Sequence, residues 1–172
     1  MNGSPGLTGM EWQALYRRLE APLYNLAYRY LWRAQDAEDV VHDAFLQLWA
    51  RRGQLLVATA DRYAWVVVLN LCRKRRRWAR AKLFLAGEDA LDALEDSGGS
   101  PEADATRREQ ESRLHAEIDR LPEKLRAVLL LSEFSGMGYE EIAALLSIPA
   151  GTVASRRHLA VQRLRMLMED RP

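Results

Sequence analysis

Cysteine is almost missing from this chain of 172 residues: Cys72 is the only one. A single thiol excludes an intramolecular disulfide and any cysteine-based zinc site. Histidine is scarce too, and His42, His115 and His158 show no metal-ligand spacing, so neither a metal nor another cofactor is predicted. No glycine-rich loop is placed to cradle phosphate, since Gly98 and Gly99 sit among acids that repel it. Nothing points to a serine nucleophile, and an enzymatic function is not predicted. Long apolar runs are also lacking; Val66–Leu69 and Ala127–Leu131 are far too short to cross a bilayer, which argues against membrane insertion. The opening MNGSPGLTG has neither the charged start nor the long apolar stretch of a signal peptide. With the lone cysteine, this predicts a cytoplasmic, reducing location. No stretch alternates with the period of two that a half-buried strand needs.

What is present is helical periodicity, at an apolar share of 48% that suits a soluble globular protein. Leu15, Leu19, Leu23, Leu26 and Tyr30 recur at spacings of three and four and predict a first helix. A second runs from about Asp36 to Arg51, with Val40, Val41, Ala44, Phe45, Leu48 and Trp49 turned inward and Gly53 ending it. A third, from about Asp61, carries Trp65, Val68, Leu69 and Cys72 along one side; core packing is the expectation for Trp78 farther on. Net charge is only +1, yet its distribution is uneven. Arg73, Lys74, Arg75, Arg76, Arg77, Arg80 and Lys82 form a dense basic run, whereas 86–106 carries acids alone among glycine, serine and proline. Such a segment cannot bury a core and reads as a flexible acidic linker. The domain expectation is therefore a tail over 1–10, a helical module over 11–85, the linker, and a helical module over 107–172. The fold class is all-α.

The C-terminal module holds the strongest pattern. After helices expected over 107–120 and 122–135, Tyr139–Leu146 forms a short helix behind Glu140 and Glu141, with Ile142, Ala143, Leu145 and Leu146 apolar. Pro149 breaks it, because proline lacks the N–H and clashes with the preceding turn. A second helix is expected from Thr152, which can serve as N-cap, with Ser155, Arg156, Arg157 and His158 in its first turns. This is the layout of a DNA-binding helix-turn-helix, in which the second helix carries polar and basic groups to base edges and phosphates. The plainer alternative is a helical hairpin with a solvated basic face.

Taken together, the two modules resemble a bacterial sigma factor of the extracytoplasmic-function (ECF) class. Residues 36–49, DAEDVVHDAFLQLW, resemble the acidic and aromatic stretch of that family's region two; Trp65, Asn70 and the run 73–77 resemble its promoter-reading helix. Leu121–Val128, Tyr139–Ala143 and Pro149–Arg156 match region four. Four residues depart from the pattern: His42 stands where glutamine is usual, Leu69 where arginine often precedes Asn70, Ala154 where lysine is usual and Leu159 where arginine is common.

The resemblance implies a non-enzymatic subunit that binds core RNA polymerase and directs promoter-specific transcription initiation, with an anti-sigma factor as a further partner. It assigns Asp36, Glu38, Asp39, His42, Asp43, Leu46 and Trp49 to polymerase docking, an acidic rim around an apolar centre. It assigns Asn70, Arg73, Lys74, Arg75, Arg76, Arg77 and Arg80 to the downstream promoter element read as unpaired strand. Thr152, Ser155, Arg156, Arg157 and His158 are assigned to the upstream element in duplex form. Bland readings stand beside these: acids near a helix start and cations near its end complement the helix dipole without any partner. Crowded cations at i,i+4 repel, however, and favour a phosphate nearby. A stand-alone helix-turn-helix regulator is the alternative function.

Overall fold

The computed structural model describes residues 6–86 and 105–169. Among these, seven helices and no strand are found, which bears out the all-α expectation. The chain divides into two compact units, Met1–Ser97 and Gly98–Pro172. The predicted linker 86–106 lies, apart from its ends, outside the described residues.

The first unit packs α1 (Gly9–Leu31), α2 (Ala34–Ala50) and α3 (Val57–Ala86) against one another. α1 starts earlier than its apolar period suggests, because Thr8 and Glu11 form a capping box: the Thr8 N–H donates to Glu11 Oε2 at 2.8 Å and the Glu11 N–H to Thr8 Oγ1 at 3.3 Å. The Thr8 N–H and the Thr8 hydroxyl, both donating to Glu11 Oε2, hold the Glu11 carboxyl below its ordinary pKa. Leu7 is buried, and its N–H donates to the Arg52 carbonyl at 2.9 Å. A Cβ on Gly6 would lie 2.4 Å from that same carbonyl oxygen, so only glycine passes there. Residues 6–10, expected as part of a tail, thus belong to the packed unit; 1–5 lie outside the described residues.

Leu23, Leu26 and Tyr30 of α1, Ala44 and Leu48 of α2, and Val68 and Cys72 of α3 are fully buried. Each large apolar side chain so placed contributes about 1.5–3 kcal/mol. Two expectations are corrected. Trp49 is 43% exposed rather than turned inward: Leu48 fills the inner position, and the next residue of a helix points about 100° away. Trp78 is 66% exposed rather than in the core, because it lies beyond the last turn of α3 that α1 and α2 cover.

In the second unit α7 (Ala150–Glu169) is the hub, contacted by α4 (Ala105–Arg120), α5 (Glu123–Phe134) and α6 (Tyr139–Leu146). Leu121, Leu125 and Leu129 form one cluster of its core with Ala160, with Val161 and Leu164 packed beside them, and Val128, Leu131, Ile142 and Val153 are fully buried as well. Arg126 is 2% exposed, yet its charge is satisfied. Its guanidinium donates to the carbonyls of Ile118, Asp119 and Leu121 at 3.0, 2.6 and 2.7 Å, closing the C-terminal end of α4.

Candidate polymerase and nucleic-acid interfaces

α2 presents two opposed faces. The arc of Val40, Val41, Ala44, Phe45 and Leu48 is buried, while Glu38, Asp39, His42, Asp43, Leu46 and Trp49 are exposed. Carboxylates occupy the N-terminal half of the exposed face and apolar groups its C-terminal half. Trp49 is held in place: the Trp12 ring lies edge-on at 5.1 Å, and the Arg52 guanidinium sits 4.0 Å from its centroid. Between α1 and α2 a cleft of about 380 Å³ is lined by Tyr16, Glu20, Tyr24, Glu38, His42 and Phe45. Tyr16 donates to Glu20 at 2.8 Å, and that bond raises the pKa of its phenol.

The basic run of α3 divides by position. Arg75 turns toward α2: Nη2 donates to Asp36 Oδ1 at 2.8 Å and to Asp39 Oδ2 at 2.7 Å, and Nε donates to Asp36 Oδ1 at 3.0 Å. The hydrogen bond to Asp36 leads the causes that raise the Arg75 pKa. Residues assigned by resemblance to two different partners thus meet inside one network. Arg76 lies against α1 and donates to the Tyr30 carbonyl at 3.3 Å. The crowding of cations at 73–77 is therefore partly offset within the protein. Asn70, Lys74 and Arg77 remain, all exposed at spacings of four and three that place them on one side of α3. Arg80 is exposed beyond them, and Arg73 is half-buried. A groove of about 650 Å³ at this end of α3 is lined by Arg33, Asp36, Arg75, Trp78, Lys82 and Leu85.

The second unit holds the helix-turn-helix as expected, with one change. α7 begins at Ala150, so Thr152 lies within its first turn, its N–H donating to the Pro149 carbonyl at 2.9 Å. The turn closes because Ser147 adopts the left-handed region, φ 55°, and the Ile148 N–H returns to the Ala143 carbonyl at 3.0 Å. Val153 and Ala160 are buried, so α7 turns Gly151, Ser155, His158, Leu159 and Gln162 outward. Arg156 is half-buried, whereas Arg157 is fastened to α5: its Nη2 and Nε donate to Glu133 Oε1 at 2.7 and 3.1 Å. The bond to Glu133 raises the Arg157 pKa. No group of acids, histidines or cysteines that could hold a metal occurs among the described residues.

Sequence reasoning passed over the structural use of Arg126, Arg75 and Arg157, whose partners only the fold brings near. The Arg18–Asp61 pair joining α1 to α3, at 2.6 Å, is of the same kind.

Comparison with known proteins agrees with the two-unit layout. The sigma-70 region 2 model matches residues 15–82, and the sigma-70 region 4 model matches 111–164. The RNA polymerase sigma-H factor of Pseudomonas aeruginosa is 34% identical over 155 residues, covering 83% of this chain and 78% of that protein. ECF RNA polymerase sigma factor SigL of Mycobacterium tuberculosis is 30% identical over 169 residues, covering 92% and 89%. In fold, the chain is similar to sigma factor RpoE of Bartonella quintana, solved in complex with the anti-sigma factor NepR, with a TM-score of 0.66 at 22% identity over 92% of this chain and 97% of that one. Matched in both regions and along most of its length, the chain belongs to the ECF family of RNA polymerase sigma factors.

Proposed function

We propose that this sigma factor docks on core RNA polymerase through the exposed face of α2 and reads promoter DNA with α3 and α7. The segregation of exposed groups in the first unit supports it most. α2 offers Glu38, Asp43, Leu46 and Trp49 to a basic, partly apolar partner surface, while α3 offers Asn70, Lys74 and Arg77 to nucleic acid. Asn70 can donate and accept at an unpaired base, and the two cations suit phosphates of the same strand. Asp36 and Asp39 support the docking face from its edge while balancing Arg75. In the second unit Ser155, Arg156 and His158 face upstream duplex DNA; Thr152 lies at the start of the same helix, and Arg157 orients it through Glu133. The protein works by binding, without catalysis, beside the polymerase in the cytoplasm. An anti-sigma factor is a partner by kinship, since a relative of the same fold is solved with one. A stand-alone regulator is disfavoured, because an acidic and apolar α2 face has no use on DNA.

The test is the Asp43→Lys variant, with Leu46→Ala as its apolar counterpart. Asp43 is exposed and outside the Arg75 network, so its reversal spares the fold. Co-elution with core polymerase should weaken about tenfold or more, because reversal sets like charges together at the interface. Circular dichroism should stay unchanged. A folded variant that binds core polymerase and transcribes normally would remove α2 as the docking face.

A further inference from the structure

We infer that Leu159 selects an A·T pair in the upstream promoter element by packing on the 5-methyl group of thymine. The inference rests on α7 being the recognition helix and adds which base that helix prefers. On the side of α7 away from the core of the second unit stand Gly151, Ser155, His158, Leu159 and Gln162, all exposed. They lie opposite Val153 and Ala160, which are fully buried. Leu159 is 42% exposed and stands in the middle of this strip. No acid occurs from Ala150 to Met168, so no carboxylate on α7 lies within two turns of Leu159 to keep DNA away. Cations flank this strip: Arg156 is half-buried, Arg163 is exposed, and Arg157 is turned back onto Glu133.

The serine hydroxyl and the glutamine amide can bond a phosphate or a base edge, whereas the isobutyl group of Leu159 finds its complement only in an apolar group. In the major groove the thymine methyl is the apolar group on offer, and glutamine pairs its amide with N7 and N6 of adenine. Leu159 and Gln162, one helical turn apart, together suit adjacent A·T pairs. Where the ECF pattern commonly has arginine, a side chain that forks onto guanine, this chain has a residue that can neither donate nor accept.

The experiment uses holoenzyme, the full chain assembled with core polymerase, on promoter duplexes randomised over the upstream element. Selection should enrich A·T at one position or more. Each selected thymine is then replaced singly by deoxyuridine, which removes the methyl group and nothing else. At one position wild type should bind about fourfold more weakly to deoxyuridine, the worth of one buried methyl-sized group. Leu159→Ala should bind the two duplexes equally there, and Leu159→Arg should move the preference at that position to G·C. Because Leu159 is exposed, both variants keep their helix content. Wild-type binding indifferent to the methyl at every thymine overturns the inference, as does methyl dependence that survives Leu159→Ala. Selection that enriches bases, none of them A·T, overturns the inference while leaving α7 as recognition helix. Selection that enriches nothing overturns both.

Discussion

Arg126→Met isolates the buried guanidinium that closes α4. Arginine there is 2% exposed and gives three hydrogen bonds, to the carbonyls of Ile118, Asp119 and Leu121. Hydrogen bonds involving a charged group contribute about 1.5–3 kcal/mol each, and acceptors left buried without donors keep their desolvation cost. Methionine restores the packing of the stem and removes the penalty of burying a charge. The balance is a loss of about 1–3 kcal/mol, the cost of leaving buried acceptors without their donor. A domain of this size has roughly 4–11 kcal/mol in total, so its second unit loses a sizeable part of its stability. The five tryptophans, at positions 12, 32, 49, 65 and 78, all lie in the first unit. Tryptophan emission therefore follows that unit alone, while far-ultraviolet circular dichroism follows both. In urea, the variant should lose part of its dichroism at lower concentration while its tryptophan transition stays in place. Coincident shifts of both signals, or a dichroism curve identical to wild type, would refute the capping argument.

Other outcomes follow from the interfaces. Replacing Lys74 and Arg77 with alanine should reduce the salt dependence of promoter binding by about 0.7 in log–log slope per cation on unpaired strand. Arg75→Ala should leave that slope nearly unchanged, because its charge is already spent on Asp36 and Asp39; titration of holoenzyme binding against salt compares them. Arg156→Ala should cost about 1–3 kcal/mol on the preferred upstream element and less on altered ones if the side chain forks onto a base. Equal losses on every sequence, measured by competition binding, would assign it to phosphate.

Much of the fold was legible because helices leave a local record. The spacing of Leu15, Leu19, Leu23, Leu26 and Tyr30 is set by one helix meeting one core, and all five are buried. The helix-turn-helix was legible for the same reason, with Pro149 marking its turn. Trp49 misled because an aromatic beside an apolar arc looks buried, while its angular position one step past Leu48 places it outside. Arg75 misled for a different reason. Its partners lie 36 and 39 positions away, and no local period encodes which cation of a run meets which acid of another helix. α7 starts two residues before Thr152, which has the chemistry of a cap, because the backbone has already turned at Pro149.

The bridge from Arg75 to Asp36 and Asp39 bears on how this protein can diverge from its relatives. Loss of either acid leaves a half-buried guanidinium short of acceptors, and loss of Arg75 leaves two carboxylates close together at one helix start. Neither side can drift alone at no cost. A lineage adapting α2 to a changed polymerase must carry α3 with it, or keep these three positions fixed and vary Asp43, Leu46, Lys74 and Arg77 around them. Compensating exchange among 36, 39 and 75 is therefore the trace to seek in descendants of this chain.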